Sequence, residues 1–231
     1  METEKESPQI KMRYVAFCDM LGFGDAVENR FDQAVAAYSE FIEIMHRLPA
    51  FERVQISIYS DSILIVGENL SAVVDVVNGL WLAAFQNDWM IRGGIAYGRY
   101  WEKRENGDLC IISDALVRAV KLEASVGFPA VVFSKEIKID SEIPFWAAHF
   151  INGIVSAPAL HFRGLSFVNP FNKYWLLSAK TRAEEMFERF PEQKEKYEWF
   201  IALANSVQRG DILIPKSVMK DLLEKGIITE K

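Results

Sequence analysis

The stretch Phe17-Cys18-Asp19-Met20-Leu21-Gly22-Phe23-Gly24-Asp25 sets one carboxylate at the end of an apolar run and follows it at once with a glycine-rich turn. Upstream, Met12 to Cys18 reads as a buried strand. Downstream, Asp25 to Arg47 carries apolar residues at helical intervals until Pro49 ends the pattern. Strand, turn and helix therefore meet at Asp19. A helix start offers unpaired N–H groups and a positive dipole end, so the backbone amides of Leu21, Gly22 and Phe23 can point at a phosphate.

Further along, Val54 to Tyr59 and Ile63 to Val66 are β-rich runs flanking Ser60-Asp61-Ser62, a hairpin with Asp61 at its tip. A helix over about Leu70 to Asn87 leads into a strand, Met90 to Tyr97. The order β-α-β-β-α-β predicts an α+β, ferredoxin-like fold, two helices covering one face of an antiparallel sheet. Its first strand is central and lies beside the hairpin, so Asp19 and Asp61 are expected to meet at one edge.

Glu102 to Asp108 reads as a polar loop, Ser113 to Ser125 as a helix and Ala130 to Phe133 as a strand. Leu160 to Phe167 and Tyr174 to Leu177 resemble a further hairpin, turned by Asn169-Pro170-Phe171-Asn172. Thr181 to Ser206 and Pro215 to Lys225 are charged amphipathic helix, a packing or partner face. The expected organisation is a main domain over 1–180 with a helical extension over 181–231.

The chain has 231 residues, half hydrophobic and a quarter charged, enough to bury an ordinary core in one domain. Its net charge of −6 argues against a surface that tracks a nucleic acid backbone. Cys18, Cys110, His46, His149 and His161 show no zinc-ligand or triad spacing, so a bound metal should be held by oxygen. No apolar start segment and no run of roughly 20 apolar residues is present, which predicts a soluble, cytoplasmic protein.

Two aspartates at neighbouring strand ends suit magnesium or manganese, which take carboxylate and phosphate oxygens and keep some water. Two such ions can activate an attacking oxygen and stabilise leaving pyrophosphate. The plainer reading is that Asp19 caps the turn before the first helix and Asp61 occupies a hairpin tip, where aspartate is common.

Phe17-Cys18-Asp19-Met20-Leu21-Gly22-Phe23 resembles the F-x-D-[IM]-x-G-F opening of class III nucleotidyl cyclases, and Ile58-Tyr59-Ser60-Asp61-Ser62 resembles their I-G-D hairpin. Ile91-Arg92-Gly93-Gly94-Ile95-Ala96-Tyr97-Gly98 is similar to the L-R-x-G-I-x-x-G strand, and Ala119-Val120-Lys121-Leu122-Glu123 falls where the family has A-x-R-[ML]-E. The resemblance covers about residues 12 to 125. It implies that Asp19 and Asp61 bind both metal ions, Mg²⁺ or Mn²⁺, with the Met20 carbonyl assisting one. It also implies a head-to-tail homodimer whose sites are shared between subunits.

Departures from the pattern carry information. The transition-state arginine is replaced by Lys121 and the asparagine one turn earlier by Val117; Lys121 can still bring a cation to the transferring phosphoryl group, though without a planar fork. Arg118 is a nearby alternative. The purine-reading positions align with Ser57 and Cys110, which do not match the adenine code and only half match the guanine code. That mismatch, the small chain and the Arg92-Gly93-Gly94 run make it resemble the pyrimidine cyclases of bacterial Pycsar antiphage systems. Such enzymes make cyclic UMP or cyclic CMP for a separate effector protein, and UTP is the favoured substrate here.

Tyr59 or Tyr97 can stack on or border a small base, although strand aromatics are more often core. Arg163 and Lys173 flank the late hairpin and can supply cations to the triphosphate; the plainer reading is exposed surface. Arg92 can instead pair with a carboxylate to hold the sheet edge. Alternatives are a purine cyclase, a palm-type enzyme, which the missing Gly-Gly-Asp-Glu-Phe signature disfavours, and a degenerate cyclase fold that binds nucleotide or protein without turnover.

Overall fold

A computed structural model describes residues 9–47, 52–138, 149–151, 154–156, 158–162, 165–171, 175–209 and 224. In chain order these form β1 (Lys11–Leu21), α1 (Phe23–Asn29), α2 (Phe31–His46), β2 (Val54–Tyr59), β3 (Ser62–Gly67), α3 (Leu70–Phe85), β4 (Met90–Glu105) and β5 (Asp108–Ser113). There follow α4 (Asp114–Ser125), β6 (Val131–Phe133), β7 (His149–Ile151), β8 (Ile154–Ser156), β9 (Ala159–Phe162), β10 (Leu165–Val168), α5 (Leu176–Arg189) and α6 (Lys194–Arg209).

The main sheet has eight strands in the order β2-β3-β1-β4-β6-β10-β9, with β5 paired to β4 and β7–β8 forming a separate ribbon. Its first four strands have the ferredoxin-like order, with β1 central between β3 and β4. Beyond them β6 lies parallel to β4, which extends the sheet past the predicted unit.

Side chains alternate between two faces of the sheet. Ala16, Cys18, Met20, Ile63 and Ile65 join the large core under α2 and α3, whereas Val15, Leu64 and Val66 meet Tyr100 and Ala115 under α4. Helix α3 is apolar almost all round, and a helix of that kind must be covered on both sides. Helices α5 and α6 supply the second cover, with Trp81 stacked on Phe200 at 5.5 Å and Phe85 against Trp175 at 5.6 Å.

Four local expectations are corrected. The helix predicted over Asp25 to Arg47 is two helices, because Arg30 leaves helical geometry at φ −148 and joins α1 to α2. Glu102 to Glu105 continue β4 instead of looping; only Asn106 and Gly107, both at positive φ, make the turn into β5. The late hairpin pairs β9 with β10, so its turn precedes Leu165 instead of falling at Asn169 to Asn172. Leu176 and Leu177 begin α5, not a strand, since an apolar pair reads either way until its neighbours are placed. The expected helix over Pro215 to Lys225 lies, apart from Glu224, outside the described residues.

Candidate active site

Register fixes which side chains can work together. Tyr59 opposes Ser62, Ser62 opposes Asp19 and Asp19 opposes Arg92, so these four make one cross-strand row on the α4 face. The adjacent row is Ser57, Leu64, Phe17 and Gly94. Asp61 sits in the β2–β3 turn at the end of the first row, and the Met20 N–H donates to its carbonyl at 3.0 Å. The two aspartates are thus brought together, within hydrogen-bonding reach of each other.

Their electrostatics follow from that proximity. Burial is the largest influence on the Asp19 carboxyl and lifts it above the usual carboxylate range. Repulsion by Asp61 and Glu123 and a hydrogen bond with Asp61 push the same way, while Arg92 opposes them. A buried carboxyl that holds its proton beside a second carboxyl gains from a divalent cation between the two, so this donor set fits Mg²⁺ or Mn²⁺ with water, backbone and phosphate oxygens completing the shell. Among the described residues no group of three or more His, Cys, Asp or Glu surrounds a common metal position.

The turn after Asp19 is held open by glycine. Gly22 caps α1 at φ 93, a left-handed conformation that side-chain-bearing residues rarely adopt, and Gly24 faces open space. Leu21 and Phe23 are buried, Phe23 packing on Tyr38 and Trp89 at 5.3 and 5.4 Å, so these residues can serve a ligand only through their backbone. The Met20 side chain is buried on the opposite face from Asp19.

The other predicted residues are placed as follows. Lys121 is exposed on the outer side of α4, whose buried residues are Ala115, Ala119 and Glu123. Arg118 is turned inward to the Tyr97 carbonyl and Asp114, so it is occupied by its own chain. Ser57 and Tyr59 share the Asp19 face, and Tyr59 is exposed. Tyr97 packs on Tyr14 at 4.5 Å, five residues along β4 from Arg92 and hence on the opposite face. Cys110 is exposed and pairs with Lys103, whereas the neighbouring Ile111 takes the packed side, which Gln55 joins to Glu102 at 3.0 Å. Ser57 and Cys110 are therefore not brought to a common side. Arg163 and Lys173 lie outside the described residues.

Two contributors, Tyr38 and Lys196, carry no local mark in the sequence, and a third, Arg92, meets carboxylates as its place at the sheet edge led one to expect. The Tyr38 hydroxyl on α2 donates to the Ser60 carbonyl at 2.8 Å and so holds the Asp61 turn. Arg92 touches both Asp19 at 3.1 Å and Glu123 at 2.6 Å. Lys196 of α6 is close enough to Arg92 and Asp19 to feel both; burial, then Arg92, lowers its ammonium below the ordinary lysine value while Asp19 raises it. Only the A-x-R-[ML]-E resemblance pointed near Glu123, and for Tyr38 and Lys196 the partner is too distant in sequence for any spacing to show.

No family model matches the chain, and no curated protein matches it. Among solved structures the chain is similar to an adenylate cyclase from Trypanosoma brucei in its monomeric state, at 11% identity over 70% of this chain and 89% of that one, TM-score 0.51. It is also similar to the adenylyl cyclase CyaB from P. aeruginosa, at 15% identity over 72% and 98% of the two chains, TM-score 0.49. A bacterial light-regulated adenylyl cyclase aligns at 16% identity over 78% and 100%, TM-score 0.49. Among the described residues no helix is long and apolar enough to cross a membrane. At such identities the likeness is one of architecture: the chain has the α+β fold of a class III cyclase catalytic domain.

Proposed function

We propose that the protein is a nucleotidyl cyclase that converts a pyrimidine nucleoside triphosphate, UTP ahead of CTP, to the 3′,5′-cyclic nucleotide and pyrophosphate. The observation that carries this reading is the meeting of Asp19 and Asp61 beside the Gly22 turn. Two divalent ions held there by the aspartates would supply activation of the ribose 3′-hydroxyl and charge for the departing pyrophosphate. The 3′-oxygen bonds to the α-phosphorus, the bond from that phosphorus to the β-phosphate bridge breaks, and the hydroxyl proton leaves to solvent.

The chain's own residues orient this transfer. N–H groups of the first turn after Gly22 face the triphosphate, and Lys196 adds a cation at the same end of the sheet. Lys121, exposed on α4, serves the site of a second subunit in a head-to-tail homodimer. Proximity supplies much of the rate, because nucleophile and electrophile belong to one bound molecule. Ser57 and Tyr59, on the Asp19 face, border the base, and a short serine where purine enzymes carry a longer reader favours a small ring. The product acts as a second messenger for a separate effector, in the manner of Pycsar defence. Residues 1–180 form the catalytic unit and 181–231 its extension, whose described part carries the rest of α5 and all of α6.

Pure protein incubated with each of the four NTPs and Mn²⁺, with products resolved by mass, tests the reading. Cyclic UMP with pyrophosphate is expected; a cyclic purine product corrects the base, and no cyclic product from any NTP removes the activity. The loss of the transition-state arginine at Lys121 favours a second reading, a nucleotide-binding module without turnover, for which NTP binding by calorimetry persists while the product assay stays blank.

A further inference from the structure

We propose that Glu123 is a positioning residue for the metal-binding Asp19 and acts through Arg92, holding the guanidinium aside when the Asp19 carboxylate turns to a cation. This rests on the two-aspartate metal reading above.

Arg92 serves two carboxylates with one nitrogen. Its terminal nitrogen donates a hydrogen bond to Asp19 Oδ2 at 3.1 Å and lies 2.6 Å from Glu123 Oε1, the second contact lacking hydrogen-bond geometry. The arginine Nε and Glu123 Oε1 are both buried with no hydrogen-bond partner among the described residues. Half of the guanidinium fork is therefore unused, and it faces a carboxylate that is 8% exposed and needs a cation. A carboxylate can accept a bidentate arginine, so Glu123 is able to take the whole fork once Asp19 lets go.

The Arg92-Gly93-Gly94 run explains how α4 comes close enough for this. A Cβ on Gly94 would lie 2.5 Å from Leu122 Cβ and 2.6 Å from the Ala119 carbonyl oxygen, so glycine is required for α4 to sit down on β4. That close seat brings Glu123, one position past Leu122, over Arg92. With an apolar residue at 123 the guanidinium would have Asp19 as its remaining ion partner in the described chain, and every cation would have to displace it.

Mn²⁺ binding to the nucleotide-free protein, followed by the loss of free-ion EPR signal, tests this without turnover. Glu123→Gln, which offers only a neutral acceptor, is expected to bind Mn²⁺ about tenfold more weakly, because charge-assisted contacts are roughly twice as strong as neutral ones. Arg92→Gln with Glu123→Gln removes the competitor and is expected to bind at least as tightly as wild type. A merely structural Glu123 lowers thermal stability in both variants and leaves Mn²⁺ affinity unchanged. If the single glutamine variant does not fold, Glu123→Asp, which withdraws the charge by one methylene, should show the same direction of loss. Wild-type affinity in folded Glu123→Gln, or a double variant as weak as the single, overturns the proposal. Asp19→Asn binding Mn²⁺ like wild type overturns the underlying metal reading as well, and so separates the two failures.

Discussion

The hydroxyl of Tyr38 donates to the carbonyl oxygen of Ser60 at 2.8 Å, so helix α2 holds the turn that carries Asp61. Ser60 sits at φ 55, a left-handed conformation that costs a side-chain-bearing residue roughly 1 to 2 kcal/mol, and such a turn benefits from an anchor. Tyr38→Phe keeps the ring contacts with Phe23 and Phe41 and removes only the hydrogen bond. Stability should fall by about 1 kcal/mol in urea denaturation. If the anchor positions Asp61, kcat falls up to about tenfold with KM nearly constant. Unchanged kcat at reduced stability would assign the contact to folding alone.

Asp19 links metal binding to pH. Its carboxyl is raised above the ordinary 3.8, first by burial and next by Asp61, so the folded state binds a proton more tightly than the unfolded chain does. The associated stability is complete below pH 3.8 and is lost as pH rises through the folded value. In chelator-treated protein Asp19→Asn should therefore melt higher than wild type near pH 7, by about 2 to 4 °C per kcal/mol relieved. That gap should close toward pH 3.8. Mn²⁺ should raise the wild-type melting temperature and leave the variant's almost unmoved. Scanning calorimetry from acid to neutral pH reads both effects, and a variant that melts below wild type at pH 7 would make Arg92 the stronger influence on Asp19.

Asp88 ties the extension to the core. It stands in the α3–β4 turn at φ 62 and meets Arg182 and Arg189 of α5, each at 2.7 Å. Asparagine tolerates the left-handed backbone, so Asp88→Asn isolates the charge. Because both arginines are partly exposed, the expected loss is about 1 kcal/mol. Asp88→Ala adds a backbone penalty of roughly 1 to 2 kcal/mol. The urea midpoint should fall from wild type to Asp88→Asn and again to Asp88→Ala; a wild-type midpoint in Asp88→Asn would mean the ion pairs contribute little.

Legibility in the sequence depended on distance along the chain. Asp19 and Asp61 could be paired in advance because each ends a run with a clear β pattern and the β-α-β-β-α-β order puts those runs side by side. The outer half of β4 reads as a loop in the sequence because Glu102 to Glu105 lie on an exposed hairpin, where no buried face imposes alternating hydrophobicity. The break at Arg30 leaves no apolar trace, since its guanidinium finds the ring of Phe190 far along the chain. Tyr38, Glu123 and Lys196 were hidden for the same reason, each acting on a partner from a separate element. Cys110 is set apart from Ser57 by parity alone: the resemblance supplies the position, and the strand turns its side chain to the other side.

The position of Lys121 leads to a test of shared sites. Ala115, Ala119 and Glu123 recur every four residues and face the sheet, so Lys121, two residues from both Ala119 and Glu123, turns about 200° away from them. It is exposed beside Val117, a valine 53% exposed, on a helix face that the described residues leave uncovered. A cation there cannot reach the Asp19 row beneath α4 in its own subunit, but it can reach that of a subunit docked on this face. Asp19→Asn and Lys121→Ala proteins should each be inactive alone. Each mixed dimer carries one doubly damaged and one intact site. Random exchange of equal amounts makes about half the dimers mixed, and one site in two is whole, so activity should return to about a quarter of wild type. Size exclusion with differently tagged subunits shows whether mixed dimers form; formation without recovered turnover would remove Lys121 from the partner's site.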